Sequence, residues 1–278
     1  MIRRDAQAFA PARVGLVEAG PTAVLAYEVH GSGIPLIAVH GAYSSRIETR
    51  GFLEPILERY PIRRVYVDLP GHGGSRPSSG LSLPDEVLDL VDRLLEEEAP
   101  EGPFLLVGHS FGGHFARAIA ARHPHRVAGL ALVCAIVPGD QRLPPQSVVR
   151  DDGVSAQLGD DEREAFESYF VVRTAETLAR FRAVVAPASG DVDEDTVGTA
   201  VETGPHRIDP DSVVIEAPVL VVSARHDHWV GWERQERLGD RSPRATVATL
   251  ADAGHALPHE CPELFGALME DWLRRVEG

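Results

Sequence analysis

Six short apolar runs recur along the chain, and they restrict its fold more than any other feature of the sequence. The runs are residues 24–27, 36–39, 65–67, 104–107, 127–133 and 219–222. Several consist almost entirely of Val, Ile and Leu, as expected of strands that are covered on both faces of a sheet. Helical patterns lie between them, so the chain predicts βαβ units around a mainly parallel sheet that is antiparallel at its N-terminal edge.

Two amphipathic helical patterns supply layers for this sheet. Apolar side chains in residues 87–95 form one stripe opposite acidic residues, and Ser82 and Asp85 are spaced as a capping box before it. A second pattern occupies residues 264–276, shortly after Pro262. Because ligands of open parallel sheets bind beyond the carboxyl ends of the strands, we expect the functional site at that edge.

The alternation breaks over residues 138–211, which are polar and punctuated by Pro and Gly. This segment contains 7 Arg and 16 Asp plus Glu, so it holds a net charge of −9 out of the −15 of the 278-residue chain. Helix-like patches at 162–170 and 175–185 carry an apolar face, and long excursions in compact domains are usually functional. We therefore predict a core formed by residues 1–137 and 212–278, with residues 138–211 as a helical cap over an active site; a second small packed layer is the alternative.

A glycine-flanked serine lies between the apolar run at 104–107 and a helical pattern. In Gly108-His109-Ser110-Phe111-Gly112 the turn is so tight that glycine must flank the serine, whose hydroxyl then projects from the sheet edge. The backbone N–H of Phe111 points from the helix N-terminus toward a developing oxyanion. The pattern predicts Ser110 as a nucleophile, and a structural turn serine is the alternative.

This stretch and two others resemble the α/β-hydrolase superfamily. One is His40-Gly41-Ala42, and the other is the glycine-rich loop at 68–75. The resemblance covers almost the whole chain except the insertion, and it implies a mostly parallel central sheet with helices on both faces and a helical cap insertion. It also makes the Ala42 backbone N–H the second oxyanion donor beside that of Phe111. We interpret Asp68 and His72, in the glycine-rich loop, as structural.

The resemblance further implies an acid and a base, because the order along the chain in this family is serine, acid, histidine. A serine hydroxyl needs a base to take its proton and a carboxylate to orient that base. Asp227 follows the run at 219–222 and matches the acid position, whereas an alternative acid position holds Cys134. His255 matches the base and follows a predicted strand at 245–250.

Three other residues lie close in sequence to Ser110 or His255, and we assign them no catalytic role. His259 is a competing base, which we interpret as a loop histidine. Asp252 is too near His255 in sequence for the family geometry, so we interpret it as a turn residue. His109 is expected to pack beneath the turn that carries the nucleophile.

These residues predict a serine hydrolase of the carboxylesterase type. It would cleave a carboxylic ester or lactone of a small to medium apolar substrate through an acyl-enzyme on Ser110, without a cofactor. Aromatic side chains near the site favour an apolar pocket. We expect Tyr43, Trp229, Phe166 and Phe170 to line it.

Three alternatives stay open. The same triad hydrolyses a carbon–carbon bond of a vinylogous keto acid in some members of the superfamily, and Arg46, Arg50 or Arg225 would then bind the substrate carboxylate; solvated loop arginines are the simpler interpretation. A perhydrolase or haloperoxidase-like activity is the second, although such proteins usually lack an extended lid. The third is a small-molecule receptor with a slow triad, and an intact triad argues against a pure receptor.

Composition excludes several other classes. All 27 basic residues are Arg, so Schiff-base chemistry and a phosphate-loop lysine are excluded. A net charge of −15 without a basic run argues against nucleic acid or an anionic membrane as a partner, and no apolar stretch is long enough to span a bilayer. We expect a cytoplasmic protein with a small-molecule substrate and with reduced Cys134 and Cys261. The oligomeric state is not predictable from the sequence.

Twelve histidines raise the question of a metal site. His226 with His228, and His123 with His125, lack the His-x-x-x-His spacing with a third carboxylate that is typical of such sites. We therefore predict neither a metal nor a cofactor.

Overall fold

An eight-stranded sheet runs through the computed structural model, which describes residues 12–19, 23–75, 84–202 and 208–278. The strands of these residues are β1 (Arg13–Ala19), β2 (Ala23–His30), β3 (Ile34–Val39), β4 (Ile62–Val67), β5 (Phe104–His109), β6 (Val127–Val133), β7 (Arg150–Asp151), β8 (Val172–Arg173), β9 (Val219–Ala224) and β10 (Ala245–Leu250). The main sheet has the order β1-β2-β4-β3-β5-β6-β9-β10. β2 pairs with both β1 and β4 in antiparallel fashion, and from β4 onward in this order neighbouring strands are parallel.

Helices cover both faces of this sheet. The α-helices in the described residues are α1 (Arg46–Leu57), α2 (Pro84–Glu98), α3 (Phe111–Arg122), α4 (Asp160–Tyr169), α5 (Ala175–Arg180), α6 (Ala186–Ala188), α7 (Glu194–Glu202), α8 (Glu233–Glu236), α9 (Leu257–Glu260) and α10 (Pro262–Glu277). Three 3₁₀ turns lie at Val154–Gln157, Pro210–Ser212 and Arg237–Arg241, and a π-helical turn at Phe181–Val185 joins α5 to α6. Within the described part of the chain, no helix is both long and apolar enough to cross a membrane.

The predicted α/β fold is confirmed. Each of the six apolar runs lies in a strand, and the two amphipathic patterns lie in α2 and α10. The N-terminal edge is antiparallel because β1 and β2 form a hairpin on the side of β4. Ser82, one half of the predicted capping box, lies outside the described residues.

Strand alternation divides the core into two layers. In β5, Phe104 and Leu106 pack into a cluster that contains apolar side chains of α2 and α3. Leu105 and Val107 point to the other face, where they join a cluster with α1 and α10. Both faces of the central strand are thus buried, which explains why β5 is apolar throughout instead of alternating with polar residues.

The strand register brings four loops to one edge of the sheet. Val39 at the end of β3 pairs with Gly108 in β5, and His109 at the end of β5 pairs with Val133 in β6. The last residue of β9 pairs with the last residue of β10. The loops after β3, β5, β9 and β10 therefore leave the sheet side by side, at its carboxyl edge.

The insertion between β6 and β9 contains α4 to α7 and a small apolar cluster. This cluster includes Phe166 of α4, Phe170 directly after that helix, and Ala256, which lies just before α9. The insertion therefore packs its own side chains together and also packs against the core through the segment that follows β10. The boundaries of a cap at 138 and 211 stay a prediction.

A tryptophan in α10 gives a test of the packing. Trp272 is fully buried, and its indole N–H donates a hydrogen bond of 3.0 Å to the carbonyl of Pro218. Replacement of Trp272 by Ala should lower the free energy of unfolding by about 3–5 kcal/mol, because a large cavity remains and the hydrogen bond of the indole N–H is lost. Urea denaturation measures this loss.

Leu264 provides the matched control on the same helix. Its side chain is 52% exposed, so Leu264→Ala should change the free energy of unfolding by no more than about 0.5 kcal/mol. Equal losses for the two variants would contradict the packing of α10 described here.

Candidate active site

Ser110 lies in the turn between β5 and α3, in an unusual backbone conformation. Its φ is 53° and its ψ is −118°, so the residue is in a region that side chains rarely occupy. The turn is held by hydrogen bonds: the Ser110 N–H donates to the carbonyl of Val133 at 2.9 Å, and the Ser110 carbonyl accepts from Ile136 at 2.9 Å. The serine is thereby fixed at the carboxyl edge of the sheet.

Glycines around Ser110 allow this turn to pack closely. A Cβ at Gly108 would lie 2.5 Å from the carbonyl oxygen of Gly112, and a Cβ at Gly112 would lie 2.2 Å from that of Val39. Any side chain at these positions would collide with backbone. The glycines of the sequence motif are therefore required by the approach of α3 to β3 and β5.

Ser110, His255 and Asp227 form a buried hydrogen-bonded relay. The Oγ of Ser110 lies 2.9 Å from Nε2 of His255, and Nδ1 of His255 lies 2.9 Å from Oδ2 of Asp227. The second oxygen of Asp227 accepts the backbone N–H groups of Trp229 and Val230, both at 3.1 Å. This arrangement assigns the Nδ1 proton to the bond with the carboxylate and leaves Nε2 to accept the serine proton.

The relay shifts the pKa values of its two ionisable members. Burial lowers the pKa of His255, but the charge and hydrogen bond of Asp227 outweigh burial, and the net pKa lies above the ordinary value of 6.5. Burial raises the pKa of Asp227, but His255 and the two backbone N–H groups bring it below its ordinary value. Asp227 is therefore ionised at neutral pH.

The loop after β3 passes directly beside Ser110. A Cβ at Gly41 would lie 3.0 Å from the Cβ of Ser110, so only glycine lets the loop come this close. His40 braces the loop, since its Nδ1 donates to the Gly41 carbonyl at 2.6 Å and its Nε2 accepts the Leu69 N–H at 2.8 Å. Ala42 follows at the wall of the cavity, and Phe111 is the first residue of α3, whose N–H groups lack helical acceptors.

Asp68 and His72 support these loops. Asp68 is fully buried and accepts the backbone N–H groups of Arg46 at 2.7 Å and Gly74 at 2.8 Å. Nε2 of His72 accepts the N–H of Tyr43 at 3.2 Å. Both side chains thus fix the start of α1 and the loop before it, and Asp68 also pairs with the guanidinium of Arg46.

A cavity of about 340 Å³ opens above the relay. Its walls come from the loop after β3, from α1, from the insertion and from the loops after β9 and β10. The lining residues are Ala42, Tyr43, Ser44, Glu48, His109, Ala165, Ser168, Tyr169, Phe181, Val185, Ala186, Ser189, Val192, Glu194, Trp229 and His255. The insertion therefore provides about half of the lining and determines the shape of the site.

The aromatic side chains of this cavity are only partly those expected. Tyr43 and Trp229 line it, and the indole of Trp229 stacks on the imidazole of His255 with ring centroids 5.5 Å apart. Phe166 and Phe170 are not among the lining residues, because they are buried inside the apolar cluster of the insertion.

The helical phase of α4 explains this correction. The stripe formed by Ala165, Ser168 and Tyr169 faces the cavity, and the more apolar stripe packs inside the insertion. The π-helical turn that follows α5 brings Phe181 and Val185 to the cavity wall. Apolar content alone therefore pointed to the wrong face of α4.

Sequence reasoning missed Glu48, a buried carboxylate in the cavity wall. It accepts hydrogen bonds from the Tyr169 hydroxyl at 2.7 Å and from the Ser44 hydroxyl, and Nε2 of His259 lies 3.3 Å away. Burial raises the pKa of Glu48, but the hydrogen bond with His259 and the nearby histidines more than offset burial and lower the pKa below its ordinary range. No periodicity marks Glu48 in the sequence, where it stands between Arg46 and Arg50.

The two histidines near Glu48 have different surroundings. His109 is buried as expected, with its ring 5.1 Å from that of His255, and burial lowers its pKa to about 4. His259 belongs to α9 and is buried, so it is not a loop histidine. Its Nε2 faces Glu48, whereas Nε2 of His255 faces Ser110.

The three arginines considered as carboxylate ligands are engaged elsewhere. Arg46 pairs with Asp68, and Arg50 pairs with Glu28. The guanidinium of Arg225 lies 3.6 Å from the ring centre of Trp232. None of the three arginines lines the cavity.

Metal-ligating side chains form one close group in the described residues. Cys134, Asp227 and His255 place ligand atoms within 4.8 Å of one another. Asp227 and His255 are already bonded to each other, so the relay accounts for this group. The histidines at the two alternating motifs have protein partners: His226 bonds the hydroxyl of Ser147 at 2.7 Å, and His123 bonds Asp92 at 2.7 Å. Both cysteines are free thiols.

Known proteins resemble this chain over most of its length. A monoacylglycerol lipase of Xenopus laevis is 25% identical over 232 residues, which cover 77% of this chain and 68% of that protein. A pimeloyl-[acyl-carrier protein] methyl ester esterase of Xanthomonas axonopodis is 28% identical over 253 residues, or 82% of this chain and 90% of the esterase. A solved alpha/beta superfamily hydrolase of Oenococcus oeni superimposes with a TM-score of 0.85 at 25% identity, covering 91% of this chain and 97% of that structure.

The model of the alpha/beta hydrolase family matches residues 29–268. This match begins in β2 and ends in α10, so it includes the turn at Ser110 and the loops that carry Asp227 and His255. The chain therefore belongs to the alpha/beta hydrolase family.

Proposed function

We propose that this protein is a serine hydrolase that cleaves a carboxylic ester or lactone of a small to medium apolar substrate. The proposal rests on one observation above all: the relay from Ser110 through His255 to Asp227 has hydrogen-bond distances of 2.9 Å at both steps, and its histidine lines a cavity. Such a relay serves to activate a serine hydroxyl.

In the proposed reaction Ser110 is acylated and then deacylated. Its Oγ attacks the carbonyl carbon while the hydroxyl proton passes to Nε2 of His255. The N–H groups of Ala42 and Phe111 donate to the oxyanion, and collapse breaks the ester C–O bond as His255 protonates the leaving alcohol. A water molecule then gives a proton to Nε2 of His255 and attacks the acyl carbon; collapse breaks the bond between that carbon and Oγ of Ser110, His255 returns the proton to Oγ, and the acid is released. Asp227 stays ionised and stabilises the imidazolium in both steps.

The cavity supports an apolar substrate of limited size. Its volume of about 340 Å³ is at the lower end of the range for small-molecule sites, and Phe181, Val185 and Trp229 provide apolar walls. The two curated relatives are named for a monoacylglycerol and a methyl ester, and both of these substrates are esters. Ester chemistry is accordingly favoured over the other reactions of the fold.

The alternative carbon–carbon bond hydrolase has less support. A keto-acid substrate carries a carboxylate that needs a cationic group, and the lining residues include no Arg. Arg46 and Arg50, the nearest candidates in sequence, pair with Asp68 and Glu28.

Hydrolysis of p-nitrophenyl esters of increasing acyl length tests the proposal. We expect turnover with an optimum at a short or medium chain. Ser110→Ala should lower kcat by about 10⁴-fold or more, because the nucleophile is lost. Release of p-nitrophenolate is measured.

Ser168→Ala is the matched control, since Ser168 lines the cavity but its hydroxyl donates to the carbonyl of Ala165, outside the relay. It should keep kcat/KM within about threefold of the parent. Equal activity of the Ser110→Ala variant and the parent would refute the proposal.

The assignment of the acid is tested separately. Asp227→Asn keeps the side-chain volume but favours the wrong imidazole tautomer, so kcat should fall by about 10⁴-fold while the circular dichroism spectrum is retained. Asp252→Asn is the control, because Asp252 is exposed and has no contact with His255 in the relay. Comparable losses in both variants, or near-normal turnover with Asp227→Asn, would show that Asp227 is not the acid.

The pH profile reports the base. His255 accepts the serine proton only when neutral, so kcat/KM should fall as the pH falls through the pKa of His255, which lies above 6.5. The profile is measured with an uncharged p-nitrophenyl ester, which has no ionising group before cleavage. A rate that stays constant down to pH 5 would contradict His255 as the base.

A further inference from the structure

A buried carboxylate gives the cavity a negative wall. Glu48 belongs to the first turn of α1, and its side chain is 3% exposed although it lines the cavity. It is separate from the relay, because its hydrogen-bond partners are Ser44, Tyr169 and His259. The reaction proposed above gives Glu48 no task, so its position in the cavity wall needs its own explanation.

No arginine neutralises this carboxylate. Within the described residues, the salt-bridge partner of Glu48 is His259, and every described Arg–carboxylate pair involves another acid. The cavity wall contains a second carboxylate, Glu194, and no Arg, and the chain has no Lys at all. His109 adds no positive charge at neutral pH, because its pKa is about 4.

Burial makes the charge of Glu48 effective over the whole site. The interaction between two charges grows as the surrounding dielectric constant falls, and salt screens a buried pair much less than an exposed one. Three donor groups hold the carboxylate in place, so it cannot turn away from an incoming substrate. Glu194 is exposed, and solvent weakens its effect.

We propose that Glu48 is a specificity-determining residue: its carboxylate excludes substrates that place a negative group in the cavity, whereas neutral and cationic substrates are accepted. This inference rests on the proposed function and narrows its substrate class. A carboxylate-tipped acyl chain would meet Glu48 and find neither Arg nor Lys in the cavity wall to pair with, whereas a ketone or an ammonium group of similar shape would not be repelled.

Three p-nitrophenyl esters of matched length test this inference. They are the hydrogen adipate, with an anionic tip; the 6-oxoheptanoate, with a neutral tip of the same shape; and 5-(trimethylammonio)pentanoate, with a cationic tip. The parent protein should cleave the adipate with a kcat/KM at least about tenfold below that of the oxoheptanoate, after subtraction of spontaneous hydrolysis. It should cleave the cationic ester at least as well as the neutral one.

Variants then assign the discrimination to Glu48. Glu48→Gln keeps the volume and an acceptor oxygen, and it should bring the adipate to within about threefold of the oxoheptanoate. Glu164→Gln removes one negative charge from an exposed position of α4 outside the cavity. The ratio of kcat/KM between the adipate and the oxoheptanoate should therefore equal that of the parent. Glu194→Gln should change the ratio between the adipate and the oxoheptanoate less than Glu48→Gln does, because Glu194 is exposed.

The Tyr169→Phe variant distinguishes the charge of Glu48 from its hydrogen bond to the insertion. It removes the hydrogen bond between the insertion and Glu48 but leaves the carboxylate, so the ratio between adipate and oxoheptanoate should be retained. If Glu48 acts only by holding the insertion through Tyr169, Tyr169→Phe and Glu48→Gln will change the ratio equally. That result would overturn the inference.

The parent alone can also refute the inference, so a Glu48→Gln variant that fails to fold does not prevent a decision. Equal cleavage of the adipate and the oxoheptanoate by the parent would overturn it. If the parent cleaves none of the three esters, the rate of covalent labelling by alkyl fluorophosphonates with the same three tips gives the charge ratio without turnover. Absence of both cleavage and labelling would refute the proposed function, whereas labelling or cleavage without charge discrimination would refute only the role of Glu48.

Discussion

The strained backbone of Ser110 is the constraint on which the rest of the site depends. A φ of 53° is maintained because α3 packs directly on the ends of β3 and β5, with glycine at Gly108 and Gly112 where any Cβ would strike backbone. Such a conformation costs about 1–3 kcal/mol, which the surrounding sheet must offset. This conformation lets the Ser110 hydroxyl project from the sheet edge, and the first N–H of α3 lies beside it. The loops after β3, β9 and β10 reach the same edge because their strands are parallel and in register.

Polar contacts join the insertion to this rigid edge. The Tyr169 hydroxyl bonds Glu48 on α1, and the indole N–H of Trp229 donates to the carbonyl of Ser168 on α4 at 3.2 Å. Trp229 in turn stacks on His255, and its backbone N–H holds Asp227. The same side chains therefore close the cavity and orient the relay. A substrate that displaces Trp229 or Tyr169 would be expected to disturb the base as well as the pocket.

Local geometry made part of the site predictable from the sequence, and long-range packing hid the rest. Ser110 lies in a motif whose glycines have a steric purpose, and its likeness to a known fold gives the order in which Asp227 and His255 follow. The cavity aromatics depend instead on the phase of α4 and on the π-helical turn at Phe181–Val185, and apolar content cannot specify either. Glu48 was unpredictable for a different reason, since its partners Tyr169 and His259 are 121 and 211 positions away along the chain.

Localisation of a covalent adduct shows whether Ser110 is the nucleophile of a working relay. The native protein is treated with a fluorophosphonate, digested and analysed by tandem mass spectrometry. The account predicts a single phosphonyl adduct on the peptide that contains Ser110, with no adduct after heat denaturation and a much slower reaction in the Asp227→Asn variant. An adduct on a different residue, or unchanged labelling of the Ser110→Ala variant, would contradict it.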